Sequence, residues 1–378
     1  MRPRIFLLLL TSLCCVNGWA QVSPTELLIA VEDVDELALG FLEENSAPAV
    51  SIAVLLDGQI VLNKGYGIAD LENSVKATNE TVFRTASIAK PLTAIAIMQL
   101  VEQGKLGLDD PIQDHCPEFP DKDDTITIRH LLCHQGGIRH YQLPKEAVGK
   151  DWVPSIAKSI ELFADDKLVA KPGEKFHYTT YGFSLLGRAI ETASGQTYRE
   201  YMHENVFKPA GMESTGLDDH WRIIPHRARG YTKVEFATLL RLPAVTRPLF
   251  KVGDVMNAEL HDTSMKVPGG GIVSTSADLA RMANAMLNDQ LITAETRQQA
   301  WERQFTSEGQ STNYALGWGI YEDQRLLISH SGEQAGTSTM LMIFPQSNLA
   351  VVGMCNMNRV PIRDLVRDIA DRMLEELN

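Results

Sequence analysis

Hydrophobic and polar positions divide this chain into two patterned ends and a less regular middle. Near the N-terminus, residues 25–42 repeat apolar side chains at helical spacing, which predicts an amphipathic helix. Residues 50–56 and 59–65 read as two strands joined by Asp57-Gly58, a pair suited to a two-residue hairpin turn because it tolerates positive φ. Residues 91–101 are apolar on nearly every face and stop near Gly104, the pattern of a helix buried all round.

Strand signals return late. Residues 325–329 and 337–344 read as strands, 345–348 as a turn, 349–356 as a third strand, and 361–377 as a closing amphipathic helix. Between the ends, 111–268 consists mainly of helical segments broken by proline and glycine. The expected fold class is therefore α+β: an antiparallel sheet flanked by helices, with a mostly helical insertion. Residues 21–110 and 269–378 would form the sheet part and 111–268 the helical part of a single catalytic unit, with its site between them.

Composition narrows this picture without naming a function. The 378 residues carry 48 acidic and 35 basic side chains, a net charge of -13. A surface of that sign argues against nucleic acid or anionic membrane as the main partner. Residues 1–20 carry Arg2 and Arg4, then an apolar run too short to span a bilayer, then Gly18-Trp19-Ala20 with small residues suited to cleavage. This predicts an export signal cut after Ala20 and a periplasmic or secreted protein with no stable membrane span; an uncleaved anchor is the alternative. Cys14 and Cys15 fall inside that segment. Cys116, Cys133 and Cys355 lack metal-type spacing, and either a Cys116–Cys133 bridge or three buried thiols fits them.

Candidate chemistry begins at Ser87-Ile88-Ala89-Lys90. A serine hydroxyl is a poor nucleophile until a base takes its proton. A lysine three residues on shares its helix face, and a buried helix start lowers an amine's pKa by desolvation and by the helix dipole. The same four letters recur as Ser155-Ile156-Ala157-Lys158, but the following residues alternate like a surface helix, so that copy is read as a coincidence. Tyr178, followed two residues later by Thr180, offers a second proton carrier and a substrate hydrogen bond. At the expected strand end, His330-Ser331-Gly332 offers an edge for an extended substrate, and the N–H beyond Gly332 an oxyanion contact.

Together these segments resemble the serine β-lactamase and penicillin-binding-protein superfamily, specifically its class C-like branch with related esterases, D-amino-acid peptidases and mitochondrial β-lactamase-like proteins. The likeness runs over 50–356. It rests on Ser87-x-x-Lys90, on Pro172-Gly173 with Phe176 and Tyr178, on His330-Ser331-Gly332, and on three further segments: His130 to Tyr141, His226 to Tyr231, and Gly269-Gly270-Gly271 before Ser274-Thr275. The resemblance implies a β-lactamase/transpeptidase-like fold and an acyl-enzyme on Ser87. Lys90 and Tyr178 would share the roles of base and acid in an order left open, and the N–H groups of Ser87 and Glu333 would hold the oxyanion.

Two departures bear on the substrate. Thr180 stands where the family usually has asparagine, and His330 where it has the lysine of K-T-G, which removes a permanent cation. Both favour an ester or peptide amide over a β-lactam, with a class C-type β-lactamase or D-Ala-D-Ala carboxypeptidase as the alternative. A penicillin sensor or a filament-forming protein is the non-enzymatic alternative. The substrate would be a small molecule or peptide, no cofactor is implied, and oligomeric state is left open. His130, His134 and His140 invite a zinc reading, set aside because Gly136-Gly137 suggests that the segment leaves its helix at once.

Overall fold

The computed structural model describes residues 24–376 except 143–145, 147–148, 150 and 323, with side chains described within 33–375. The proposed export signal therefore lies outside the described residues. Helix α1 (Pro24–Asn45) leads into strands β1 (Ala49–Leu56), β2 (Gln59–Asp70) and the short β3 (Val75–Lys76). Helices α2 (Ala89–Glu102), α3 (Tyr181–Ser194) and α4 (Ser276–Leu287) follow, separated by shorter turns. Strands β4 (Gly319–Glu322), β5 (Leu326–Gln334), β6 (Thr337–Phe344) and β7 (Leu349–Cys355) and helix α5 (Ile362–Glu376) complete the chain.

The seven strands form one antiparallel sheet in the order β3-β2-β1-β7-β6-β5-β4, joining both ends of the chain. Its central seam pairs β1 with β7, Val50 opposite Cys355 and Leu56 opposite Leu349. Alternation of side chains sends Val50, Ile52 and Val54 into one apolar layer and Ala53 and Leu55 into another. Helices α1 and α5 cover the first layer, and α4 covers the second, where Ser51 Oγ meets Ser276 Oγ at 2.8 Å. Because both faces are covered, every residue of β1 is buried. The hairpin expected from Asp57-Gly58 is present, and β2 runs on to Asp70, five residues past its expected end.

The regular structure of the middle of the chain is mainly helical, with α3 as its longest helix. It also includes several one-turn helices, a two-stranded ribbon, Tyr231–Lys233 with Val255–Asn257, and a three-stranded patch. That patch pairs Phe83–Arg84 and Gly216–Leu217 with Ile272–Ser274, bringing distant segments together immediately before Ser87. Among the described residues no helix is long and apolar enough to cross a membrane. Cys116, Cys133 and Cys355 are buried free thiols, so Cys116 and Cys133 are not bridged.

Candidate active site

Ser87 sits in a single 3-10 turn, Ala86–Ile88, between the strand Phe83–Arg84 and α2. Ala86, just before it, takes a φ of 46°, a left-handed conformation that costs a non-glycine residue about 1 kcal/mol or more. The corner is held from both sides. Thr85 N–H donates to Ile272 O at 2.9 Å, and Thr339 Oγ1 donates to Thr85 O at 2.9 Å. The turn feeds α2, in which residues 89–100 are all buried.

Lys90 is one helical turn beyond Ser87 and fully buried. Its Nζ lies 2.9 Å from Ser87 Oγ, 2.7 Å from Gly269 O and 3.4 Å from Thr180 Oγ1. Burial, followed by the nearby charge of Lys266, holds this amine well below the ordinary lysine value of 10.5. The second Ser-x-x-Lys copy behaves as read from sequence: Ser155 caps a helix by accepting from Lys158 N–H, and the Lys158 side chain is exposed beside Glu161.

The tyrosine segment reaches Ser87 because another loop laces it in place. His177 N–H donates to His134 O at 2.7 Å, and Thr179 Oγ1 to Arg139 O at 2.7 Å. Thr179 N–H donates to His134 Nδ1 and Thr180 N–H to His140 Nδ1, each at 3.2 Å. Tyr178 is thereby presented with its hydroxyl hydrogen-bonded to Ser87, its ring 4.8 Å from Lys90 Nζ, and the His134 ring 4.3 Å away. Burial raises the Tyr178 pKa, so the phenol keeps its proton. The histidines considered as zinc ligands are hydrogen-bond acceptors for backbone N–H groups: His130 Nδ1 accepts from Thr127 N–H. The described residues hold no cluster suited to a metal ion.

Strand β5 forms the opposite wall. The sequence placed its end at Ser329; the structure continues it to Gln334, so His330-Ser331-Gly332 lies inside the strand. β4 pairs only with Leu326–Ser329, and beyond Ser329 the Ser87 turn packs against this part of the strand. Gly332 is required there, since a Cβ would collide with Thr85 O and Thr339 Oγ1 and stand 2.9 Å from Ser87 N. Alternation then separates the motif. Ser331 and Glu333 line the cavity above Ser87, whereas His330 turns inward, its Nε2 2.8 Å from Tyr314 OH and its Nδ1 2.6 Å from Ser331 O. With both ring nitrogens committed and burial pushing its pKa down to about 3, His330 is neutral.

The cavity has a volume of about 260 Å³ and is lined by Ser87, Tyr178, Thr180, Lys266, Ser331 and Glu333, among others. Larger grooves of about 870 and 780 Å³ lie elsewhere, but neither contains Ser87, so chemistry rather than size locates the site. Several contributors went unrecognised in the sequence: the Gly269 carbonyl beneath Lys90, His134 and His140 as supports of Tyr178 and Thr180, Tyr314 beneath His330, and Lys266. Gly269 leaves no room for a side chain; a Cβ there would lie 2.6 Å from Thr180 Cγ2.

Comparison with known proteins agrees with this geometry. Residues 34–372 match the family model described as Beta-lactamase. The human mitochondrial serine beta-lactamase-like protein LACTB is 29% identical over 443 aligned residues, covering 91% of this chain and 77% of that protein. The octameric penicillin-binding protein homologue from Pyrococcus abyssi superposes with a TM-score of 0.77 at 25% identity, covering 91% and 77% of the two chains. The D-amino acid amidase from Ochrobactrum anthropi SV3 superposes with a TM-score of 0.75 at 21% identity, covering 90% and 98%, and shows the shared fold. A match over nearly all the described residues, on the fold that carries this serine–lysine turn, establishes that the chain belongs to the Beta-lactamase family, within the serine hydrolase superfamily.

Proposed function

We propose that this protein is an exported serine hydrolase that cleaves an ester or amide bond through an acyl-enzyme on Ser87. The observation that carries the reading is the buried Lys90 amine, 2.9 Å from Ser87 Oγ and held well below its ordinary pKa. A neutral amine has two N–H groups and one lone pair. Gly269 O and Thr180 Oγ1 take the N–H groups, which leaves the lone pair for the Ser87 hydroxyl proton. Lys90 is thus the first base and Tyr178, still protonated, the acid.

Ser87 Oγ attacks the carbonyl carbon as its proton passes to Lys90, and the developing oxyanion meets the N–H groups of Ser87 and Glu333. Tyr178 protonates the departing alkoxide or amine and is recharged from Lys90. Water then attacks the acyl-enzyme, its proton returning through the same pair, and Ser87 leaves with the carboxylic acid released. Esters and unstrained amides are favoured over β-lactams because Thr180 offers a hydroxyl where the family usually has an asparagine amide, and His330 presents neither a charge nor a free ring nitrogen. The name of the D-amino acid amidase neighbour agrees with an amide substrate.

Hydrolysis of a short aryl ester and a small amide by the mature protein and by Ser87→Ala tests this reading. Turnover of at least one by the wild type and background rates in the variant are expected; turnover retained by Ser87→Ala would overturn it. Export rests on the pattern of residues 1–20, and a mature N-terminus at Gln21 is its expected signature.

A further inference from the structure

The ribbon of Tyr231–Lys233 with Val255–Asn257 is the base of a projection that the catalytic site does not use: none of the residues lining the Ser87 cavity comes from it. Tyr231 N–H fixes the ribbon to the end of the sheet by donating to Asn356 O at 2.8 Å. Val234 N–H donates to Asp254 O at 2.8 Å and Gly253 N–H to Val234 O at 2.9 Å, which closes residues 235–252 into a loop. Inside it, Phe236–Arg241 form a short helix and Arg247–Leu249 a 3-10 turn, and neither holds a buried residue. Arg247 Nη2 ties the two together by donating to Leu240 O at 3.0 Å and Leu242 O at 3.2 Å.

A helix of 6 residues is marginal in water by itself, because helices in proteins draw most of their stability from an apolar face packed against something. This one turns such a face outward. Phe236 and Leu240, four apart and so on one side, are 68% and 57% exposed. Farther round the loop, Val245, Leu249 and Val252 are 86%, 75% and 60% exposed. Soluble proteins rarely gather so many large apolar side chains in water unless a partner covers them.

Charge identifies the partner. Between residues 236 and 252 the chain has Arg241, Arg247 and Lys251, all exposed, and no acidic residue, although its net charge is -13. The cations interleave with the apolar side chains: Arg241 follows Leu240, Arg247 precedes Leu249 by two, and Lys251 precedes Val252. Glu235, at the base of the loop, is paired with Arg359 at 2.7 Å. This mixture suits an anionic lipid surface, where apolar side chains enter the headgroup boundary and cations meet phosphates. A standard protein interface uses about 20–30 residues a side, more than this single tip presents. An anionic surface repels the acidic remainder of the molecule, so only the tip can approach it.

We propose that the loop 235–252 docks this protein onto the surface of an anionic phospholipid bilayer, as a peripheral contact with no spanning segment. Docking leaves the Ser87 cavity free for substrate and is independent of which bond that site cleaves.

Co-sedimentation of the mature protein with two sets of vesicles tests the proposal, one of phosphatidylcholine alone and one with about one-third phosphatidylglycerol. Binding should be at least about tenfold tighter to the anionic set and should weaken with salt. Phe236→Ser with Leu249→Ser should lower it about tenfold or more, and Arg241→Gln with Lys251→Gln should bring it down to the phosphatidylcholine level. All four side chains are exposed, so thermal unfolding should stay unchanged in both variants. A polarity-sensitive dye on Leu249→Cys, selective because Cys116, Cys133 and Cys355 are buried, should shift to the blue with anionic vesicles alone. Binding to neither set, or binding that both variants leave unchanged, would overturn the proposal. Self-association that Phe236→Ser with Leu249→Ser abolishes, read by light scattering and unaccompanied by vesicle binding, would also overturn it and give the tip to a second copy.

Discussion

Replacing Lys90 by methionine should abolish activity and, at neutral pH, make the protein more stable. Methionine matches the unbranched lysine stem, so α2 keeps its packing and no large cavity opens. An unfolded lysine with the ordinary value of 10.5 is protonated at pH 7. Holding it neutral in the folded state costs about 5 kcal/mol, at about 1.4 kcal/mol per pH unit. The hydrogen bonds to Ser87 Oγ and Gly269 O return about 1 kcal/mol each, and leaving Gly269 O without its donor costs the variant about 1 kcal/mol more. The difference favours Lys90→Met by about 2 kcal/mol at pH 7. Between its folded and unfolded values the native state binds fewer protons at this site than the unfolded state, so the wild type gains stability as pH rises through that window. By pH 9.5 its deprotonation cost has fallen to about 1.4 kcal/mol, and the order reverses, with the variant less stable by about 1.5 kcal/mol. Urea unfolding followed by fluorescence of the buried Trp301 and Trp318 at both pH values measures the crossover. A stability difference that is the same at pH 7 and pH 9.5 would refute the neutral-amine argument.

Other consequences follow from the same geometry. Tyr178→Phe keeps the ring packed on His134 but removes the proton carrier, so kcat should fall about 10²- to 10⁴-fold with little change in KM, measured by steady-state kinetics on an aryl ester. Gly332→Ala drives a methyl group into Thr85 O and Thr339 Oγ1 beside Ser87 N; activity should fall at least about tenfold, and stability by about 1–3 kcal/mol, read by kinetics and by unfolding. The pH profile of kcat/KM should show an acid limb from protonation of Lys90, lying well below the ordinary lysine range, with activity present above it and lost below. A single limb near pH 10 would contradict that assignment. His134→Ala removes the acceptor for Thr179 N–H and the ring under Tyr178, and should lower kcat more than it raises KM.

Much of the sheet was legible in the sequence because its signals are local. Asp57-Gly58 sets the first hairpin, and the apolar runs of β1 and β7 reflect burial on both faces. The extension of β5 was not legible. Ser331, Glu333 and Gln334 are polar, and what holds this stretch in the strand is pairing with β6 and packing against the Ser87 turn, contacts made by remote segments. The Ser87–Lys90 pair stood out because a lysine within an apolar helix needs a reason beyond packing. By contrast, Lys266 comes from an irregular segment far along the chain, and its place beside Ser87 depends wholly on tertiary folding. His134 and His140 were visible, and once the zinc reading was set aside the sequence offered them no role: their partners are backbone N–H groups of Thr179 and Thr180, which no side-chain spacing reveals.

Intact-mass measurement of the mature protein, quenched during turnover of a short aryl ester and followed by peptide mapping, tests the central claim most directly. The expected result is a transient acyl adduct on the peptide containing Ser87, accumulating faster than it is lost, with no adduct in Ser87→Ala. Ester turnover accompanied by an adduct on another residue, or undiminished in Ser87→Ala, would contradict it.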